Sequence, residues 1–353
     1  MRFWGITGTN GKTTTAWVLA DFLESAYITT VEVNTLKRRF SSGYTTPPKA
    51  MLAAIYAEME ASGATDCVME VSSHAIAQNR VGFNVLTTFS GGAFTNITED
   101  HLDYHKTMEE YFRVKLDFAR RLPAGSPYVI AMDGLGSPEM FKAVSKLPLN
   151  AIPVSIEGSR FNLSELKFAG KYNQSNVLVA ATLAECAGIP KEVIESKIPL
   201  LRPKWGRLEE VKSSSKARVF VDFAHTPDGL ANVIKAAREF TQGSLIVVFG
   251  AGGDRDRAKR PLMGKTVSEL ADFAVVTSDN PRSEDPASII AGIIDGMNGN
   301  HIAIPDRREA IECALQRASE GDIVLVCGKG HETTQEIAGV KYPFDDRAVI
   351  ASI

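Results

Sequence analysis

Short apolar runs alternate with amphipathic stretches along nearly the whole chain. The runs at 67–69, 219–221, 245–249, 273–276 and 323–326 are rich in β-branched residues and bounded by Gly or Asp. Such runs suit strands buried on both faces. Between them the polar and apolar positions take a helical spacing over 14–25, 48–62, 174–187, 226–240 and 308–318. The alternation predicts an α/β fold in which mostly parallel sheets are covered by helices. The segment Ile198-Pro199-Leu200-Leu201-Arg202-Pro203 carries two prolines that end a helical stretch before a new series of strands begins. A domain boundary is therefore expected near residue 203, giving domains over 1–203 and 204–353. The stretch 123–170 shows no readable period and is expected to be irregular.

Composition narrows the class without naming it. At 353 residues the chain is long enough for two cores. Its net charge of −3 provides no basic field for nucleic acid. No apolar run reaches the length of a membrane span, and the first residues lack the apolar stretch of a signal peptide. The four cysteines, Cys67, Cys186, Cys313 and Cys327, are widely spaced with no CxxC pair. They read as reduced and mostly buried thiols of a cytoplasmic protein.

The first chemistry-bearing motif is Gly5-Ile6-Thr7-Gly8-Thr9-Asn10-Gly11-Lys12-Thr13-Thr14-Thr15, set between a short strand and a helix. Its glycines let consecutive backbone N–H groups face phosphate oxygens, and the helix N-terminus adds a favourable dipole. Lys12 is expected at the β- and γ-phosphates and the Thr13 hydroxyl at Mg²⁺. Ile6 stands where the general phosphate-loop pattern has its first glycine, so the loop is a variant of that pattern.

More motifs follow in order. Glu70-Val71-Ser72-Ser73-His74 comes first, with Gln78 and Arg80 just after it. The run Phe94 through His105 is next, then Tyr111 and Lys115, then Tyr172-Asn173-Gln174-Ser175-Asn176. Gly206-Arg207-Leu208-Glu209 and Val221-Asp222-Phe223-Ala224-His225 open the last part. Gly252-Gly253-Asp254-Arg255, Asp279-Asn280-Pro281-Arg282 and Gly328-Lys329-Gly330-His331-Glu332 close it. Together with the variant loop, this series resembles the Mur ligases over nearly the whole chain, in the branch that adds meso-diaminopimelate to a UDP-muramoyl dipeptide.

The resemblance implies a central ATPase domain followed by a smaller Rossmann-like domain holding the incoming amino acid. It implies ATP contacts at Gly8, Thr9, Asn10, Gly11, Lys12, Thr13 and Thr14 of the loop. Asn176 is implied at the adenine, Arg207 at the γ-phosphate, Asp222 at the ribose and His225 beside the nucleotide. It assigns Mg²⁺ to Thr13, Glu70 and His101, with Lys115 as an N-carbamate ligand. Hydroxyl and carboxylate oxygens suit Mg²⁺, although Mn²⁺ suits them too. By its own pattern Lys115 is a surface lysine on an amphipathic helix, and Glu70 a strand-end carboxylate that could cap the next helix. Acceptor contacts are implied at Thr45, Thr46, Ser73, Gln78 and Arg80, and amino-acid contacts at Arg255, Asn280, Arg282, Gly328 and Glu332. Arg282 is the discriminating residue, because a guanidinium pairs bidentately with the second carboxylate that diaminopimelate has and lysine lacks.

The implied reaction is ATP-dependent amide formation through an acyl-phosphate, with Lys12, Lys115, Glu70, His101 and Arg207 as catalytic residues and no covalent nucleophile. The phosphate loop lies within the first dozen residues, where the family has a preceding UDP-binding domain. The expectation is a chain without that domain, a partner protein that supplies it, or a smaller non-UDP acceptor. Partners are expected to be small molecules, and the chain a monomer. Rival readings are a folylpolyglutamate synthetase, a ligase for a cofactor or specialised metabolite, and a non-catalytic nucleotide-binding subunit.

Overall fold

The apolar runs become strands and the amphipathic stretches the helices that cover them. The computed structural model describes residues 1–81 and 88–353. It consists of two compact units, Met1–Leu201 and Arg202–Ile353. In the first unit the strands are β1 (Arg2–Thr7), β2 (Ala26–Ile28), β3 (Val33–Asn34), β4 (Arg39–Phe40), β5 (Asp66–Glu70), β6 (Phe89–Phe94), β7 (Pro127–Ala131) and β8 (Asn150–Val154). They form one sheet in the order β4-β3-β2-β5-β1-β6-β7-β8. Neighbours run parallel from β2 to β8, and the β2-β3-β4 edge is antiparallel. The helices are α1 (Lys12–Leu23), α2 (Lys49–Ala61), α3 (Ser73–Ala77), α4 (Leu102–His105), α5 (Met108–Arg120), α6 (Ser137–Val144), α7 (Lys171–Cys186) and α8 (Lys191–Lys197).

The chain leaves β1 between β5 and β6, its two neighbours in the sheet. In an open parallel sheet this point, beyond the carboxyl ends of the strands, is where ligands bind. The phosphate loop, Glu70 and the segment after β6 all emerge there.

Helix α5 sets the geometry of that edge. Tyr111, Lys115 and Phe118 recur at i, i+4 and i+7, so they share one face of the helix, and all three are buried. Phe118 lies over Gly5 of β1 and Gly92 of β6. A Cβ at Gly5 would stand 2.9 Å from Phe89 Cε1 and closer still to the Phe118 ring, and one at Gly92 would stand 2.8 Å from Phe118 Cε1. The two glycines therefore let the helix approach the sheet closely, and this brings Lys115 down onto the phosphate loop.

The second unit is a doubly wound sheet in the order β13-β12-β11-β14-β10-β9. Its strands are β9 (Glu209–Val211), β10 (Arg218–Asp222), β11 (Leu245–Phe249), β12 (Phe273–Val276), β13 (His301–Ala303) and β14 (Ile323–Cys327). All neighbours are parallel except the edge strand β9. A hairpin of β15 (Thr334–Ile337) and β16 (Val340–Pro343) follows. The helices are α9 (Pro227–Arg238), α10 (Lys259–Leu270), α11 (Pro286–Ile294), α12 (Arg307–Arg317) and α13 (Asp346–Ser352). Among the described residues no helix is long and apolar enough to cross a membrane.

Two expectations need correction. The first part of the stretch 123–170 is regular, since it contains β7, α6 and β8, while the residues after Val154 are irregular as expected. Its pattern is hard to read because β7 begins at Pro127, α6 has only eight residues, and the edge strand β8 is half exposed and carries Pro153. Proline is tolerated there because an edge strand has backbone donors without partners. The cysteines are free, but only Cys67 and Cys327 are buried, and Cys186 is exposed.

Gly5→Ala is expected to destabilise the protein by about 1–3 kcal/mol, because the added methyl overpacks the Phe89–Phe118 contact. Denaturant unfolding checks this, and an unchanged midpoint would mean that α5 has room to move outward.

Candidate active site

The phosphate loop connects β1 to the N-terminus of α1. Gly11 is the residue before the helix and has a left-handed φ of 85°. A Cβ there would stand 3.0 Å from Asn176 Cγ, so the glycine lets the α7 carboxamide lie directly against the loop. Asn176 is thereby placed beside the motif to which the resemblance joined it.

The loop is strapped from behind by the segment after β6. Asn96 Oδ1 accepts from Asn10 N at 3.0 Å, and Asn96 Nδ2 donates to Asn10 O at 3.1 Å. The Thr95 hydroxyl donates to the same carbonyl at 2.6 Å. Thr9 N donates to Asn96 O at 2.9 Å. The Thr9 hydroxyl accepts from Thr98 N at 3.1 Å and lies 3.1 Å from the Tyr111 hydroxyl. Thr95, Asn96, Thr98 and Tyr111 were not among the candidate site residues. Their signal was present, since all four belong to the motif run around 94–111.

Two lysines converge on this loop. Lys12 Nζ donates to Gly8 O at 3.0 Å and to Thr9 O at 2.7 Å. Lys115 Nζ donates to the same Gly8 carbonyl at 2.8 Å and lies 4.5 Å from the centre of the Tyr111 ring. Lys115 is 1% exposed, so it is not the surface lysine that its pattern alone suggests. Burial, reinforced by the nearby Lys12 charge, pushes its pKa well below the ordinary lysine value. A neutral amine is the form that can add CO₂.

Glu70 closes β5 in register with Ile6 of β1. Its carboxylate accepts from Thr30 N at 2.8 Å and from the Thr30 hydroxyl at 3.1 Å. It does not cap the following helix; Ser72 does that, accepting from Ala75 N. Thr30 lies far from any motif, and nothing in the sequence singles it out. His101 has a left-handed φ of 56°. Its ring lies 5.0 Å from that of His74. Burial, helped by Lys12, His74 and Lys115, pushes its pKa down to about 4, although 41% of the side chain still meets solvent. The imidazole is therefore neutral at pH 7 and able to act as a ligand.

The donors that the resemblance implies for a cation in this unit are the buried Thr13 hydroxyl, the buried Glu70 carboxylate and the His101 imidazole. Among the described residues no group of three or more His, Cys, Asp or Glu forms a protein-only cage. Few protein ligands, with phosphate and water completing the shell, is how Mg²⁺ is usually held. The residues fit that ion.

The implied acceptor residues also gather. The Thr46 hydroxyl donates to Glu70 O at 2.8 Å and accepts from Ser72 N at 3.0 Å. Arg80 donates to Thr46 O at 2.8 Å and to Gln78 Oε1 at 2.9 Å. Gln78 Nε2 donates to the Tyr104 hydroxyl at 3.3 Å, and the Thr45 and Thr30 hydroxyls are hydrogen-bonded at 3.0 Å. Ser73 is buried in the first turn of α3.

In the second unit, Asp222 ends β10. Its carboxylate accepts from Leu208 N at 2.6 Å and Ala224 N at 2.7 Å. Burial pushes its pKa up, against the opposing pull of Arg207 and these two amides. The Phe223 ring collects Arg207 at 4.8 Å, His225 at 4.7 Å and His331 at 5.0 Å. Asp222, Arg207 and His225 are thus brought together. His331, a motif residue not among the candidates, joins them, and burial pushes its pKa down to about 3.

The loops after β12 and β14 meet beside this cluster. Asn280 Nδ2 donates to Glu332 Oε2 at 2.7 Å. Gly328, at φ 116°, packs against the Asp279 carboxylate so closely that a Cβ would overlap it. Beneath both loops Arg307, fully buried with Asp346, donates to Ser278 O at 3.3 Å and Cys327 O at 2.9 Å. Removing one partner of such a pair costs about 3–5 kcal/mol, so the ends of β12 and β14 are firmly tied. Arg282 is left-handed at φ 55°. It is held there by Arg282 N to Glu336 O and Ala338 N to Arg282 O, at 3.0 and 2.6 Å. Its guanidinium donates to Gly253 O at 2.5 Å. Arg255 is exposed and donates to Asp254 O at 3.1 Å.

A phosphate loop on a parallel sheet, followed by a second doubly wound unit with convergent charged loops, defines an ATP-dependent ligase. The chain belongs to the Mur ligase family: residues 6–165 match the Mur ligase middle domain and 206–330 the Mur ligase glutamate ligase domain. It is 38% identical to the UDP-N-acetylmuramoyl-L-alanyl-D-glutamate--2,6-diaminopimelate ligase of Caldanaerobacter subterraneus, over 99% of this chain and 77% of the relative. It is 40% identical to the ligase of the same name from Caulobacter vibrioides, over 98% of this chain and 79% of that protein. A solved structure of a ligase of that name superposes with a TM-score of 0.62 at 31% identity, covering 99% of this chain and 77% of the other.

Asn96→Ala removes both side-chain bonds that hold Asn10. KM for ATP should rise about tenfold, from the loss of about 1–1.5 kcal/mol of loop preorganisation. Steady-state kinetics check this, and an unchanged KM would show that the strap is not needed for nucleotide binding.

Proposed function

We propose that the chain adds meso-diaminopimelate to the D-glutamate of UDP-MurNAc-L-Ala-D-Glu in peptidoglycan precursor synthesis. The observation that carries this proposal is the 2.7 Å bond between Asn280 and Glu332, which unites two motifs 52 residues apart, with Arg282 held in its strained backbone on the same loop. A carboxylate-bearing end group suits the guanidinium of Arg282, and its ammonium suits Glu332. The same name borne by relatives at 38–40% identity supports the choice.

The acceptor carboxylate attacks the γ-phosphorus of ATP, and the β–γ bond breaks to give an acyl-phosphate and ADP. The amine of the amino acid then attacks the acyl carbon, and inorganic phosphate leaves. The protein contributes position and charge. The loop amides cradle the phosphates, and Lys12 and Arg207 are assigned to the transferring group. The Thr45–Thr46, Ser73, Gln78 and Arg80 group is assigned to the acceptor, and Asn176, Asp222 and His225 to the nucleoside. Thr13, Glu70 and His101 would hold Mg²⁺, which neutralises phosphate charge when bound. Lys115 would add an anionic oxygen ligand if its amine, in the uncharged form that burial favours, took up CO₂ and released a proton to solvent.

Phosphate release from Mg-ATP tests the proposal, measured with UDP-MurNAc-L-Ala-D-Glu and meso-diaminopimelate, L-lysine or no amino acid. Release should require both the acceptor and meso-diaminopimelate, and Lys115→Ala should abolish it. No release with this acceptor from protein that binds ATP would overturn the assignment of acceptor.

Arg282→Ala should raise KM for meso-diaminopimelate by about 100-fold, the loss of about 3 kcal/mol of charge-assisted hydrogen bonding. KM for ATP should change less than about twofold, since the side chain is assigned to the amino acid alone. Equal effects on both substrates would refute that role for Arg282.

A further inference from the structure

Lys329 lies in the loop after β14 and is 0% exposed. Its ammonium has three donors, and each has a partner: Thr334 O at 2.7 Å, Glu332 Oε2 at 3.0 Å and Asn280 Oδ1 at 3.2 Å. Two of these partners are residues assigned above to the incoming amino acid. The Asn280 carboxamide is oriented by the same contact. Lys329 Nζ and Glu336 N, the latter at 2.9 Å, both donate to Oδ1, and this directs Nδ2 to Glu332 and to Asp279 Oδ1. Glu332 is anchored on one side only. Both of its bonds fall on Oε2, and a third of its side chain remains exposed.

We infer that Lys329 is a specificity-determining residue for the amino acid: by balancing the charge of Glu332 from below, it makes the site favour an end group that carries both an ammonium and a carboxylate over one that carries an ammonium alone. The inference rests on the assignment of Arg282, Asn280 and Glu332 to the amino acid. Lys329 places one buried positive charge 3.0 Å from Glu332 Oε2. That charge suits the extra carboxylate of a diamino-dicarboxylic acid and opposes the bare side-chain ammonium of lysine. Without it the surroundings of Glu332 are more negative by one charge, and Glu332 is left to attract any ammonium. Arg282 supplies the attractive contact for the carboxylate, and Lys329 supplies the repulsion that makes the contact selective. A buried charge acts at this range with little screening.

The test is kcat/KM for meso-diaminopimelate and for L-lysine, at saturating ATP and acceptor, in the native enzyme, Lys329→Met and Lys329→Arg. In Lys329→Met the ratio of the two values should fall about tenfold or more. In Lys329→Arg, which keeps the charge, the ratio should hold even if both rates drop. A merely structural role would lower both amino acids by one factor and leave the ratio where it was, and that result overturns the inference. If Lys329→Met does not fold, Lys329→Gln keeps a donor for Thr334 without the charge, and the same fall is expected. A native enzyme that discriminates, with uncharged variants that discriminate equally, overturns this inference alone. A native enzyme that uses neither amino acid overturns the proposed function and this inference with it.

Discussion

The amine of Lys115 reaches the carbonyl of Gly8 because α5 can lie almost on the backbone of β1 and β6. Side chains at Gly5 or Gly92 would lift Phe118, and with it the helix face that carries Lys115 and Tyr111. The phosphate loop depends on this approach twice. Tyr111 reaches Thr9 of the loop, and Lys115 takes up one of its carbonyls. The same close packing excludes water from the amine, which is why its pKa falls. Packing, charge state and chemistry at this edge thus share one steric cause.

The second unit has its own buried cations, and they lie in layers. Arg307, paired with Asp346, ties the last carbonyls of the β12 and β14 segments. Above it, Lys329 ties the side chains that those segments present. A buried charge is tolerable only when its partners are all in place, so each layer specifies one arrangement of the loops. The left-handed backbone at Arg282 is maintained by the hairpin bonds of Glu336 and Ala338. The loop residues are therefore ordered by the protein, which spares that entropic cost on binding.

The strands at 245–249 and 273–276 were legible because a buried parallel strand needs an unbroken apolar run, and few other elements show one. The helices were legible to within a few residues at their ends, as with α2 and α12. The stretch 123–170 was not, because its elements are short, β7 begins at a proline, and the half-exposed edge strand β8 carries little pattern. Among the candidate site residues, the phosphate loop was legible from its own chemistry, and Glu70, Asn176, Asp222, Asn280 and Glu332 from the motifs that carry the resemblance. Thr30, which holds Glu70, was not, since one hydroxyl among many has no local signature.

From the sequence alone came the α/β class, the nucleotide loop, the resemblance to the Mur ligases and the arginine suited to a second carboxylate. Each is read from short runs and motifs along the chain, whose local geometry follows from strand, turn and helix. Only the tertiary structure decided that Lys115 is buried rather than exposed, with its pKa lowered by that burial, that Asn96 straps the loop, and that Lys329 and Arg307 underlie the amino-acid loops. Burial and charge state arise from what distant segments place around a side chain, and a linear pattern does not record those neighbours.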